Sequence, residues 1–257
     1  MIVCRSAAEL DRMRDAGRLV GEVLAELAAH VAPGVSTAQL DALAEKRIVA
    51  AGATPAFKGY HGYPATICAS INEEVIHGIP SPKRVLEEGD IISIDVGASL
   101  NGYFGDSAIT VPVGKVSAQA AKLLKVTEES LYKAIEQMRP GARLSDIGHA
   151  VQHHVEAAGF SVVREFVGHG IGEQMHEEPQ VPNYGEPGRG PRLAEGMVLA
   201  IEPMVNAGKP AVKVLADGWT AVTKDGSLAA HFEHTVAVTS GEARILTARV
   251  PVAHALR

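Results

Sequence analysis

Apolar residues recur at helical spacing through the N-terminal stretch, then give way to short β-branched runs. Ser6-Ala7-Ala8-Glu9 has the form of a capping box, and Leu10, Met13, Leu19, Val20, Val23, Leu24 and Leu27 follow on one helical face. Pro33-Gly34 stops that helix. A second helix is predicted from about Thr37 to Ala51, with Leu40, Leu43, Ala44 and Ile48 inward and Gly52 at its end. Ser117 to Met138 reads as a long amphipathic helix broken by Pro140-Gly141, and Leu144 to Ala158 as another, ended by Gly159. Thr66 to Ile71 is strand-like, and the chain from Phe160 on reads mainly as strands and glycine-rich loops.

The stretch Asp90 to Thr110 carries the most information. Ile91, Ile92, Ile94 and Val96 favour a strand, and Asn101-Gly102 is a strong hairpin turn. With those two residues central in the turn, Leu100 faces Tyr103 and Gly97 faces Asp106. Asp95 then lies diagonal to Asp106 on one face, roughly 7–8 Å away at the backbone. Two carboxylates aimed at one point repel, so a shared proton, a basic partner or a metal must compensate. Two solvent-facing aspartates beside a turn are the plain alternative.

The second half of the chain resembles the first. APGVSTAQLDALAEKRIVAAG (Ala32 to Gly52) aligns without a gap to RPGARLSDIGHAVQHHVEAAG (Arg139 to Gly159), 107 positions on. The same offset sets EGDIISID over EGMVLAIE and pairs Asp95 with Glu202. A constant offset across a helix and a strand reads as a duplication. The chain is therefore expected to be one domain, 1–257, with a repeat over about 6–110 and 113–247. A pseudo-twofold would bring Asp95 and Glu202 together between the halves.

Composition narrows the class. The 257 residues can bury a large core, and 46% hydrophobic content is ordinary for a globular protein. A net charge of −6, spread along the chain, gives no nucleic-acid footprint. No apolar run approaches a membrane span. The N-terminus has no apolar signal region, and Cys4 and Cys68 make no disulfide framework. A cytoplasmic location is expected.

Further chemistry lies downstream. Gly168-His169-Gly170-Ile171-Gly172 presents a histidine in a backbone stripped of bulk, where main chain could approach a ligand closely. Glu202 and Glu233 each stand in a β-rich run. Asp95, Asp106, His169, Glu202 and Glu233 together suit divalent ions such as Mn, Fe or Co, with Zn admissible. Five protein ligands exceed the need of one open catalytic ion, and two ions with bridging carboxylates account for them better. His149 and His153 form an i, i+4 pair without an acidic partner cluster and are expected on a solvated face. No HExxH motif is present.

GYHGYPATICASINEEVIHGIP, SIDVGASLNGYFGDSA, GHGIGEQMHEEP, AIEPM and FEHT occur in that order. In these motifs, from about Ser6 to Thr247, the sequence resembles the type I methionine aminopeptidases of short bacterial form. The resemblance implies an α+β pita-bread fold: two pseudo-symmetric α/β halves with a central curved antiparallel β-sheet covered by helices. It implies that Asp95, Asp106, His169, Glu202 and Glu233 hold two divalent ions (Co, Mn, Fe(II) or Zn), with Asp106 and Glu233 bridging. It implies that His77 and His176 contact the scissile peptide. Tyr60, Tyr63, Cys68 and Trp219 would form a methionine pocket with His61 nearby. Met175 stands where phenylalanine is usual and keeps that wall apolar; His231 stands where glutamine is usual. The tail after Thr247 has no counterpart.

The implied activity is removal of the N-terminal methionine from new proteins and peptides, with a small second residue preferred. Glu202 is the expected proton acceptor from water. His77 and His176 would stabilise the tetrahedral intermediate. N-terminal methionine peptides and nascent chains are the implied partners, with a transient ribosome contact, and a monomer is expected. Two rivals are a related enzyme cleaving before proline, for which the large extra N-terminal domain is missing, and a metal-free binding protein on the same fold.

Overall fold

Ser6 caps the first helix through a reciprocal pair of bonds: its hydroxyl accepts the Glu9 N–H, and its own N–H donates to the Glu9 carboxylate at 2.8 Å. The computed structural model describes residues 2–249, so most of the unmatched tail past Thr247 lies outside the described residues. The helices are α1 (Ala7–His30), α2 (Thr37–Ala50), α3 (Ala118–Ile135) and α4 (Leu144–Ala157). The N-terminal half carries strands β1 (Thr54–Pro55), β2 (Ile67–Ile71), β3 (Glu74–Ile76), β4 (Ile91–Leu100) and β5 (Tyr103–Pro112). The C-terminal half carries β6 (Ser161–Val162), β7 (Gly168–Gly170), β8 (Glu177–Val181), β9 (Val198–Ile201) and β10 (Met204–Asn206). It continues with β11 (Val212–Val214), β12 (Ala221–Thr223), β13 (Ala229–His231), β14 (His234–Ala237) and β15 (Arg244–Ile245).

The fold is α+β, and its strand pairs are antiparallel. Hydrogen bonding divides the β surface into four pieces. β4 is flanked by β2 and β5 and also takes β1; a second piece runs β15-β14-β9-β7-β8. Two small sheets, β13-β10-β6 and β11-β12-β3, complete it. Helix α1 lies on β4 and β5, and α3 packs on α4. One apolar core joins the halves, with Leu24, Ile48, Ile92 and Leu123 from α1, α2, β4 and α3 and Ile147, Leu199 and Val236 from α4, β9 and β14.

The hairpin register is the one the turn dictates. Leu100 pairs with Tyr103 and Gly97 with Asp106, while Asn101 (φ 53°) and Gly102 (φ 81°) both take the left-handed conformation of a type I′ turn. Helix α3 stops three residues before the predicted Met138. Gln137 and Met138 donate to the carbonyls of Ala134 and Ile135, a tighter i→i−3 pattern that closes the helix ahead of Pro140.

Local geometry repeats at the sequence offset of 107. Helices α2 and α4 have 14 residues each. Gly34 N–H donates to the Leu86 carbonyl at 2.8 Å, and Gly141 N–H to the Leu193 carbonyl at 2.9 Å. Isolated bridges join Ser36 to Val85 and Arg143 to Arg192. The halves differ at the strand pair. In the first, two residues turn β4 into β5; in the second, β9 meets its partner β14 only after the excursion through β10 to β13.

Helix α1 touches β5 backbone to backbone. A Cβ added at Gly105 would come within 2.9 Å of the Gly17 main chain. Gly105→Ala is therefore expected to lower stability by about 1–3 kcal/mol, read as a fall in the urea midpoint with an unchanged slope.

Candidate metal centre and adjoining pocket

Strand β5 is stitched to β14 by side-chain bonds, and this sets two acids side by side. Thr235 Oγ1 donates to the Asp106 carbonyl at 2.8 Å and accepts the Asp106 N–H at 3.1 Å. Glu233 N–H donates to the Ala108 carbonyl at 2.9 Å, and the Ser107 hydroxyl donates to the Glu233 carbonyl at 2.5 Å. Asp95 on β4 faces Ala108 on β5 and so lies diagonal to Asp106, as the hairpin predicts. Glu202 follows the end of β9, directly before the excursion whose return places Glu233 ahead of β14.

His169 enters from β7, opposite Ala200 of β9. Its Nδ1 lies 2.9 Å from the Gly170 carbonyl. A carbonyl only accepts, so Nδ1 carries the proton and Nε2 keeps a free lone pair. That Nε2 is 3.8 Å from Asp106 Oδ2 and 3.6 Å from Glu202 Oε1. Asp106, His169 and Glu233 each offer an atom, and these lie within 4.8 Å of one another. The glycines flanking His169 answer to packing between strands, not to a ligand. A Cβ at Gly168 would run into the Ala200 carbonyl, and one at Gly170 into the Glu178 carbonyl.

The electrostatics of this cluster are unbalanced. Burial, followed by mutual repulsion, pushes the Asp106, Glu202 and Glu233 carboxyls well above their usual range, and burial pushes Asp95 up to about 7. His169 is held down at about 4, chiefly by burial and then by His176. Among the described residues, no lysine or arginine lines the cavity that these side chains share. Asp95 Oδ1, Asp106 Oδ1 and Glu233 Oε1 are buried without a hydrogen-bond partner. Orphaned carboxylate oxygens beside an imidazole lone pair, with no protein cation, fit divalent metal. Two such ions would offset four carboxylate charges.

The sequence profile described as Metallopeptidase family M24 matches residues 11–240. The chain belongs to metallopeptidase family M24. Within it, this M24 chain is 59% identical to methionine aminopeptidase 1 of Bacillus subtilis over 96% of its own length and 99% of that protein's. It superposes on the crystal structure of methionine aminopeptidase from Rickettsia prowazekii with a TM-score of 0.95, at 43% identity, covering 96% of this chain and 100% of that one. The prolidase from Pyrococcus horikoshii shares the fold at 23% identity, with a TM-score of 0.77 over 98% of this chain and 65% of that one. The chain thus stands among the type I methionine aminopeptidases of M24 and has their pita-bread fold.

An apolar pocket adjoins the M24 acidic cluster in the same cavity of about 380 Å³. Tyr63, Cys68 and Met175 are buried in its wall, with Phe57 beside them and Trp219 packed against them. The Tyr63 hydroxyl donates to the carbonyls of Ile67 and Gly78, both at 3.0 Å, which fixes its ring edge-on to Trp219 at 5.1 Å. Burial raises the Cys68 thiol's pKa well above its ordinary value, so it packs as a neutral side chain. Tyr60 and His61 line the mouth on a short 3₁₀ turn. Phe57 is the residue that sequence reasoning passed over. It sits over Gly97, where a Cβ would approach the ring to 2.6 Å. Its only signal in the sequence is its place at the head of the aromatic, glycine-rich run from Phe57 to Pro64.

His77 and His176 flank the junction between acids and pocket. His77 follows β3 with φ 60°, a left-handed conformation rare outside glycine, and its ring lies edge-on to Phe166 at 5.8 Å and Trp219 at 6.2 Å. Burial, then His176, lowers its pKa to about 4. His176 directly precedes β8, is exposed at the cavity mouth with its pKa lowered mainly by partial desolvation, and rests against His169 with ring centroids 4.2 Å apart. Both rings are neutral near neutral pH and each carries one N–H donor. The turn bearing His176 is tied to the N-terminal segment through the buried Arg5, which donates to Glu177 at 2.6 Å.

His231 is buried on β13 with Nε2 unpartnered, 3.9 Å from Glu202 Oε2 and 4.0 Å from Glu233 Oε2. His149 is half-buried and its Nδ1 meets the Gly185 carbonyl at 3.2 Å, while His153 is exposed. Cys4 and Cys68 are both free thiols. Among the described residues, no helix is long and apolar enough to cross a membrane.

Proposed function

We propose that this chain removes the N-terminal methionine from peptides and new proteins by metal-dependent hydrolysis, preferring a small second residue. One observation carries the reading. A buried cluster of four carboxylates and one imidazole opens directly onto a sulfur- and aromatic-lined pocket, with two neutral histidines at the junction. Asp95, Asp106, His169, Glu202 and Glu233 would hold two divalent ions. When bound, such ions supply Lewis acidity, acidifying a water and polarising a carbonyl.

The side chains divide the remaining work. Tyr60, Tyr63, Cys68, Met175 and Trp219, with His61 at the rim, accept an unbranched thioether and shield the reacting bond from bulk water. Glu202 takes the proton of the attacking water on its carboxylate. His77 and His176 donate N–H bonds toward the developing oxyanion and the leaving nitrogen. The chain is read as one catalytic unit, 1–257, with a repeat over about 6–110 and 113–247. Action on nascent chains in the cytoplasm, as a monomer with transient ribosome contact, extends the reading on the strength of the family resemblance.

A substrate panel tests the specificity. With metal restored, Met-Ala-Ser is expected to be cleaved well, Leu-Ala-Ser and Met-Lys-Ser poorly, and Ala-Pro-type peptides not at all. A fall of roughly 10- to 200-fold is the scale for a change in pocket fit. Equal rates on Met-Ala-Ser and Met-Lys-Ser would overturn the small-residue preference, and preferred cleavage before proline would favour a prolidase-like activity.

A further inference from the structure

The Tyr60 hydroxyl lies 2.9 Å from His176 Nδ1, and the two rings stack with centroids 5.2 Å apart at an interplanar angle of 26°. The His61 ring braces the other contact of Tyr60, edge-on at 4.4 Å. This arrangement is built into the backbone. Tyr60 opens a 3₁₀ turn between Gly59 (φ 87°) and Gly62 (φ 88°), closed by Tyr60 N–H to the Phe57 carbonyl and Tyr63 N–H to the Tyr60 carbonyl, both at 2.9 Å. The two neighbouring tyrosines are therefore used differently. The Tyr63 hydroxyl is spent on two backbone carbonyls away from the histidines, whereas the Tyr60 hydroxyl meets a histidine of the cavity.

We propose that Tyr60 is a positioning residue for His176: its hydroxyl donates to Nδ1 and so keeps the ring proton on Nε2. The direction of the bond follows from the groups. A phenol O–H is a good donor and a neutral imidazole nitrogen a good acceptor, while the reverse pairing uses the weaker member of each. With Nδ1 accepting, Nε2 carries the N–H and can stabilise an oxyanion. With the other tautomer, Nε2 would present a lone pair to that oxygen and repel it. The stacked ring also holds the imidazole plane, so Tyr60 serves His176 in addition to closing the methionine pocket. The inference rests on the proposed role of His176.

Histidine-selective ¹⁵N NMR on zinc-loaded protein at mildly alkaline pH, together with Met-Ala-Ser kinetics, tests it. Wild-type His176 is expected as the Nε2–H tautomer. Tyr60→Phe keeps the ring and removes only the hydroxyl. It should mix the tautomers and lower kcat roughly 2- to 10-fold, the range of one net hydrogen bond, with KM little changed. Added to His176→Ala, the same substitution should cost nothing further. An Nδ1–H tautomer in the wild type, an unchanged tautomer in Tyr60→Phe, or the same kcat loss in both backgrounds would overturn the proposal. The tautomer is read without turnover, so it decides the matter even if His176→Ala proves fully active, a result that would sink the role of His176 instead.

Discussion

Asp106→Asn is expected to cut turnover at least roughly 10³-fold while the protein stays folded. Loss of several kcal/mol of charge stabilisation sets that scale. Asp106 is 4% exposed, and its carboxylate lies in the group of atoms shared with His169 and Glu233. An amide of the same shape removes the charge and one acceptor from the centre of the cluster. The bonds that place residue 106 run through its backbone to Thr235 and survive the change. The metal-free variant should even melt higher than metal-free wild type, because repulsion from Glu233 and Asp95 is relieved. Metal content after dialysis and the melting temperature of stripped protein check both halves of this prediction. Wild-type metal content in Asp106→Asn would remove Asp106 from the set of ligands.

His176→Ala is expected to behave in the opposite way toward metal. It should retain bound ions and lose about 10²–10³ in kcat, or roughly 2.7–4 kcal/mol, with a smaller change in KM. The reason is placement. His176 touches the His169 ring and lines the cavity, but it is outside the group of atoms that Asp106, His169 and Glu233 bring within 4.8 Å. His169→Ala is the control, since its Nε2 lone pair faces Asp106 and Glu202, and it should weaken metal binding. If His176→Ala lost its metal as readily as His169→Ala, His176 would be a ligand.

The hairpin was legible because its turn leaves little choice. Asn101-Gly102 fixes the register, and the register fixes that Asp95 and Asp106 share a face. The repeat was legible because its offset of 107 holds through a helix and a strand, and that offset alone links Asp95 to Glu202 in the sequence. Other features depended on distant chain. Nothing local to Glu233 says that Ser107 and Thr235 will lash it beside Asp106, 127 positions away. The glycines around His169 suggested approach to a ligand, yet the carbonyls of Ala200 and Glu178 claim that space, and both arrive from later strands. Phe57 was hidden for the same reason, since its seat is Gly97 on a strand far along the chain. The bond between Tyr60 and His176 spans 116 positions and leaves no spacing pattern to read.

The most direct test of the account is methionine release from Met-Ala-Ser by protein stripped with chelator and then reloaded with Mn, Fe(II) or Co. Stripped protein should release none, since the clustered carboxylates then have only neutral imidazoles beside them and no cation to act through. Reloading should restore turnover with up to two ions bound per chain. Full turnover in excess chelator would contradict the account.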